Sequence, residues 1–196
     1  MIDQAITPAM GPGPMPIITQ RLLLRPLMVD DAAAIYEAVV ESWAELSPWL
    51  VWTLNPLEKL SVADYAAFCQ RKQDMYAKGE DITLLSFDRR TQKLVGGCGL
   101  HHPNREARSF SLGFWVRTSE TKKGYATEVA QALSHYAFEK LSAHKLVSCH
   151  AEGNNGSGRV LRRAGFTHTG IQPNAHKLLA GNVDEHQYIL LPPSPN

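Results

Sequence analysis

The sequence predicts an α+β fold, a mixed and mainly antiparallel central sheet flanked by helices, on three observations. Strand-like and helix-like segments follow the irregular order β-α-α-β-β-β-α-β-α-β-β, not the strict alternation of a doubly wound parallel sheet. The runs "DITLLSFD", "KLVGGCGLHH" and "SFSLGFWV" succeed one another without an intervening helix, as in an antiparallel meander. No internal repeat interrupts this order, and 196 residues suffice for one well-buried core.

Residues 1–16 are rich in Pro, Gly and Met, which predicts a flexible lead-in to a single domain over 17–196. "ITQRLLLRPL" alternates as a strand does. "DDAAAIYEAVVESW" then places Ala34, Ile35, Ala38 and Val39 on one helical face, with Asp30 or Asp31 as N-cap. "SVADYAAFCQRKQDMYAKG" predicts a second helix, capped by Ser61 with Asp64 three residues on and stopped at Gly79. The meander follows, its first two strands joined by "RRTQ". From Gly124 the apolar residues Ala126, Val129, Ala130, Leu133, Ala137 and Leu141 recur at helical spacing. "KLVSCHAE" reads as a strand, "NGSGRVLRRAG" as a short helix closed by Gly165, and "FTHTGI" and "DEHQYILL" as the last strands. The intervening "QPNAHKLLAGN" reads as a loop.

Composition excludes several classes. Twenty basic against 19 acidic residues give a net charge of +1, so no global field attracts nucleic acid or an anionic membrane, and an anion site must be local. Cys69, Cys98 and Cys149 lack metal-ligand spacing and read as buried thiols in a reducing, cytoplasmic protein. The N-terminus has no signal-peptide pattern, and no apolar run approaches the roughly 20 residues of a membrane span, so a soluble, unexported protein is expected.

Two segments carry chemistry. "SETKKGYATE" stands between a strand ending near Val116 and the start of the long helix. It reads either as an exposed basic turn or as an anion cradle, in which unpaired helix N–H groups and a close-approaching Gly124 hold phosphate and Lys122 and Lys123 add charge. The nucleotide-hydrolase phosphate loop is absent, and "GGCGLHH" lacks the third glycine and following helix of a dinucleotide fingerprint. Its glycines mark a place where a backbone, a ligand or a helix passes close, or a bulge. As a metal site "CGLHH" lacks a second ligand cluster. The other segment is "NNGSGRVLRRAGF".

In order, "T-x-R-L-x-L-R" within "ITQRLLLRPL", "K-G-Y-A-T-E" and "N-x-x-S-x-R-V-L-x-x-x-G-F" resemble the GNAT N-acetyltransferases of the RimJ/RimL branch, from about Ile17 to Leu191. The resemblance implies a GNAT-type fold and an acetyl-CoA-dependent N-acetyltransferase, and with no metal-ligand spacing in the sequence no metal is expected. Trp115 and Val116 match the splayed strand end that pairs with pantetheine. Thr121, Lys122, Lys123, Gly124, Tyr125, Ala126 and Thr127 match the pyrophosphate loop. Asn154 matches the asparagine that holds the pantetheine arm, Arg159 stands within reach of the cofactor, and Ser157 matches the serine that hydrogen-bonds the departing CoA sulfur. Thr121 replaces the usual Gln or Arg, which leaves that phosphate contact to Lys122 and Lys123. Leu161 occupies the position of the wider superfamily's tyrosine acid and has no proton to give.

The implied reaction is attack of a neutral amine on the thioester carbonyl, with an oxyanion formed and CoA thiolate leaving. An α-amine, with a pKa of about 7.7 to 8.0, is roughly a tenth neutral at pH 7, so a protein or peptide N-terminus needs only a modest base. Histidine suits that role, and His176 and His101 are the candidates, with His102 beside the latter. Trp43, Trp49 and Trp52 lie where the family builds an acceptor wall, although tryptophans grouped in this way are more often core. A small-molecule amine as acceptor and a non-catalytic acyl-CoA sensor are the alternatives. Relatives are often dimers, which leaves a homodimer open.

Overall fold

The computed structural model describes residues 15–50, 56–178 and 181–193. Strands β1 (Ile17–Ile18), β2 (Leu22–Pro26), β3 (Ile82–Asp88), β4 (Leu94–Asn104), β5 (Ser109–Val116), β6 (Lys145–Ala151), β7 (Thr167–Leu178) and β8 (Gly181–Leu190) form one sheet in the order β1-β2-β3-β4-β5-β6-β8-β7. All neighbours are antiparallel except β5 and β6. Helices α1 (Ala32–Leu46), α2 (Val62–Ala77), α3 (Tyr125–Lys140) and α4 (Asn155–Arg163) flank it. The expected α+β architecture and element order hold, with the first strand split in two around Thr19–Arg21. Most of the expected lead-in, residues 1–14, lies outside the described residues.

Two apolar layers bury the sheet. On one face Leu22, Leu84, Leu100, Phe110 and Leu112 pack against Val129, Leu133 and Ala137 of α3 and Leu161 of α4. On the other, Leu85, Phe87 and Leu94 meet Ile35, Ala38 and Val39 of α1 and Cys69 of α2. Each such large side chain contributes about 1.5 to 3 kcal/mol by leaving water, which is why the helical stripes settle on these faces. Among the described residues no helix is long and apolar enough to cross a membrane.

Local capping follows the sequence at α2, where Ser61 Oγ accepts from the Asp64 N–H at 3.3 Å and the Asp64 carboxylate accepts from the Ser61 N–H at 2.9 Å. At α1 the expectation holds for position but not for the side-chain bond. Asp31 occupies the N-cap position, but its carboxylate turns back to accept from the Met28 N–H and from both terminal nitrogens of Arg25, each at 2.7 Å. A guanidinium fork outcompetes a helix N–H for a carboxylate.

The last two strands are longer than the sequence suggests, and His176, expected in a loop, sits on β7. Pro173 and Asn174 had suggested a loop, yet both fall in a register shift between Gln172 and His176, with Asn174 at φ +52°. β7 is the sheet edge, where a bulge accommodates a proline that lacks an N–H.

Candidate active site

The sheet opens where its one parallel pair ends. β5 and β6 are in register only over Ser109–Ser111 and Lys145–Val147, and beyond Leu112 they diverge. The Ser148 hydroxyl donates to the Leu112 carbonyl at 2.8 Å and marks the apex of this fork. A cleft of about 1210 Å³ runs from it, lined by β4, β5, β6, α2, the start of α4 and the segment after α1. Trp115 and the main chain of β5 form one side, and Asn154, Ser157 and Cys149 the other.

A short 3₁₀ turn, Thr118–Glu120, links β5 to α3 and is pinned to α1. Arg117, 4 % exposed, bonds Glu37 at 2.9 Å and pairs with Glu41. The Ser42 hydroxyl accepts from the Thr118 N–H at 2.9 Å, and Glu41 accepts from the Ser119 N–H at 2.8 Å. The Arg117 hydrogen bond holds the Glu41 carboxyl down to about 2. The loop then turns with Lys122 at φ +62° and Gly124 at φ +84°, a left-handed conformation that suits glycine, before α3 begins.

Arg21 fixes this turn from the opposite edge. Its Nε donates to Glu128 Oε2 at 2.6 Å and its terminal nitrogen to the Lys123 carbonyl at 2.8 Å, while the guanidinium lies 4.5 Å over the Tyr125 ring. Thr19 Oγ1 adds a bond to Glu128 Oε1 at 2.6 Å. Thus "T-x-R" and "K-G-Y-A-T-E", over a hundred residues apart, are two halves of one clamp. Sequence reasoning used both motifs without seeing that they touch.

The loop residues divide. Lys123 Nζ pairs with Glu120 at 2.8 Å, whereas Lys122 has no polar partner among the described residues. Both lysines thus stand at the turn, Lys123 beside a carboxylate. Tyr125 is buried, its hydroxyl donating to Asp88 at 2.7 Å, so its side chain anchors the helix start. Thr121 donates to the Thr118 carbonyl at 2.8 Å, and Ala126 and Thr127 lie in the first turn of α3.

Asn154 caps α4, its Oδ1 accepting from the Ser157 N–H at 3.2 Å, and this stations Ser157 on the first turn beside the cleft. Arg159 is exposed and does not line the cleft. Leu161 is buried.

In β4 the glycines admit both backbone and side chains. A Cβ at Gly96 would meet the Trp115 carbonyl and one at Gly99 the Ile82 carbonyl, the close approach of a backbone that the sequence led us to expect, while Cβ atoms at Gly97 and Gly99 would also collide with Trp115 Nε1 and His101 Cε1. Trp115 and His101 thus lie flat on the sheet within the cleft. His101 Nδ1 bonds Asp81 Oδ2 at 2.8 Å, so in the neutral ring Nδ1 carries the proton and Nε2, over Gly99 and Gly113, the lone pair. Asp81 is 6 % exposed and is also bonded by Thr83 and, at 3.2 Å, by Lys72. Burial pushes its carboxyl up, but the bonds from His101 and Thr83 and the charges of His101 and Lys72 prevail and hold it at about 2. His102, at φ +50° in a register shift, is exposed.

His176 also borders the cleft, but its Nδ1 faces Glu185 Oε2 at 2.7 Å and its Nε2 the Trp49 carbonyl at 3.2 Å. Trp49 lines the cleft, Trp43 packs with the α1–α2 core, and Trp52 lies outside the described residues. Of the thiols only Cys69 and Cys98 are buried, and Cys149 is exposed toward the cleft because it follows the divergence of β6. Asp81 and Arg117 left no motif in the sequence, since their partners are distant along the chain.

A forked mixed sheet with a glycine turn at a helix N-terminus beside the fork defines a GNAT acetyltransferase. Residues 21–167 match the acetyltransferase (GNAT) domain family, and the chain belongs to it. It is an acetyl-CoA-dependent N-acetyltransferase. YdaF of Bacillus subtilis (strain 168), named as a candidate ribosomal N-acetyltransferase, is 28% identical over 153 residues, covering 78% of this chain and 81% of its own. RimL, a ribosomal L7/L12 α-N-protein acetyltransferase solved with coenzyme A, superposes with a TM-score of 0.81 at 22% identity over 90% of this chain and 98% of its own. A Vibrio cholerae structure, described as a candidate ribosomal-protein-serine acetyltransferase, gives 0.77 at 24% over 95% and 100%. At these identities the superpositions speak for the fold.

Proposed function

We propose that this enzyme acetylates the α-amine of a protein or peptide, with His101 as base and Ser157 hydrogen-bonding the departing CoA sulfur. The observation that carries this reading is the Asp81–His101 pair, which engages Nδ1 and leaves Nε2 of an imidazole at the wall of the cleft that Ser157 borders. The Thr121–Thr127 turn, with Lys122 and the first N–H groups of α3, takes the pyrophosphate, and the Trp115–Val116 edge of the fork receives the pantetheine arm. Asn154 lies beside that path.

The amine attacks the thioester carbonyl carbon and passes a proton to His101 Nε2, and the imidazolium formed is stabilised by the Asp81 carboxylate. Collapse of the oxyanion expels CoA thiolate, which accepts a hydrogen bond from the Ser157 hydroxyl, a weak acid suited to bonding a thiolate and unsuited to protonating it. A histidine base matches an α-amine, of which roughly a tenth is already neutral at pH 7. Trp49, Tyr65 and Phe68 supply an apolar wall for the acceptor. The names of YdaF and RimL support the protein acceptor.

The test is CoA release from acetyl-CoA with peptides bearing a free α-amine, α-blocked peptides bearing lysine, a polyamine and an amino sugar. The highest kcat/KM is expected for the free α-amine. A preference for the polyamine or amino sugar overturns the acceptor, and no release with any amine leaves an acyl-CoA sensor.

A further inference from the structure

Three chemically different donors converge on the cleft wall from three neighbouring strands. Cys149 of β6, Glu185 of β8 and His176 of β7 present Sγ, a carboxylate oxygen and a ring nitrogen that all lie within 4.8 Å of one another. They are 9 to 36 positions apart in sequence and match no ligand spacing, so the sheet order β6-β8-β7 alone assembles them. The expectation of a metal-free protein rested on that spacing.

The contacts of His176 suit a bound cation. Its Nε2 faces the Trp49 carbonyl at 3.2 Å, which can accept a hydrogen bond from it. In that tautomer Nδ1 presents a lone pair beside a carboxylate oxygen at 2.7 Å. A proton shared between them satisfies these two groups and leaves the thiol out. A thiophilic divalent cation uses all three groups, and an imidazole that binds metal through one nitrogen while donating from the other to a backbone carbonyl is the usual outer-shell arrangement of a metal-bound histidine.

We propose that Cys149, His176 and Glu185 form a binding site for a divalent cation of the zinc class, with its fourth position open to the cleft. In tetrahedral zinc sites of thiolate, imidazole and carboxylate, bond lengths of about 2.0 to 2.3 Å separate the donor atoms by about 3.4 to 3.6 Å. The three groups need side-chain shifts of only about 1 Å to reach that spacing. One thiolate and one carboxylate neutralise a dication, which suits groups whose side chains at His176 and Glu185 are 15 % and 17 % exposed. Binding releases the Cys149 thiol proton to solvent while sulfur donates an electron pair to the metal. Both Cys149 and His176 line the acceptor cleft, so a bound cation presents its open position to whatever enters there.

Cobalt(II) is the probe, because a cysteine thiolate bound to it gives a near-ultraviolet charge-transfer band. The other thiols, Cys69 and Cys98, are 0 % and 4 % exposed, so a band reports Cys149. Titration of the full-length protein is expected to develop the band with one cation per chain and to lose it on addition of zinc. Cys149→Ser should abolish the band, and Glu185→Gln should weaken zinc binding, measured by calorimetry, by about tenfold or more. A competing patch of His168, His186 and Glu152 would bind metal without a thiolate band. Absence of the band in the wild-type protein overturns the site, as does a band whose metal affinity is unmoved by Glu185→Gln and by His176→Gln. Circular dichroism of each variant verifies folding, and the readout is independent of acetyl transfer, so it stands apart from the acceptor assignment.

Discussion

His101 and Asp81 make the clearest case at the scale of single residues. His101→Ala removes the proposed base and is expected to lower kcat by about 10² to 10⁴ with the KM for acetyl-CoA little changed. Asp81→Asn keeps the shape but forfeits the charge that stabilises the imidazolium, so kcat falls by less while the KM for acetyl-CoA again holds. Steady-state kinetics with a good peptide substrate checks both, and an unchanged kcat in His101→Ala removes it from the mechanism. Asp81 also links stability to pH. Its folded value of about 2 lies below the ordinary value, so its stabilising contribution is complete above the unfolded carboxylate's pKa of about 3.9 and is lost as pH falls through about 2. Thermal melts of the wild-type protein should therefore show an acid drop in that window that is smaller in Asp81→Asn.

Among the elements, the turn before α3 yields the sharpest contrast. Lys122 lacks a partner among the described residues while Lys123 is paired with Glu120, so Lys122→Ala should raise the KM for acetyl-CoA more than Lys123→Ala does. Arg21→Ala should raise it as well, since it releases both the Lys123 carbonyl and Glu128. Initial rates at varied acetyl-CoA decide among the three, and equal values for the two lysines would return both to solvated surface. The long helix, the capping box at Ser61 and the meander were legible because each is dictated by residues within a few positions. Arg21 bonded to Glu128, Arg117 in its pair of glutamates and Asp81 behind His101 were not, because no local pattern marks an ion pair closed across the sheet. Pro173 misled for a related reason: a proline that stops an inner strand is tolerated at a bulged edge. The motif resemblance found the fork and the loop but could not tell which histidine keeps a free nitrogen.

For the whole molecule, the fork has a mechanical side. Among the described residues, Ser109–Ser111 and Lys145–Val147, with the Ser148 hydroxyl and the His144 N–H bonded to the Arg108 carbonyl, join β1 through β5 to the group of β6, β8 and β7 within the sheet. The sheet is thus two leaves on a short hinge, and a molecule lodged between them works as a staple. CoA at about 100 times its dissociation constant should stabilise the fold by about 2.7 kcal/mol, read as a rise in Tm. The gain in hydrogen-exchange protection should then spread through both leaves and not stop at the residues that touch CoA. Ser148→Ala, which loosens the hinge without entering the loop, should widen the difference between free and bound protein, because a weaker hinge leaves more for the staple to hold.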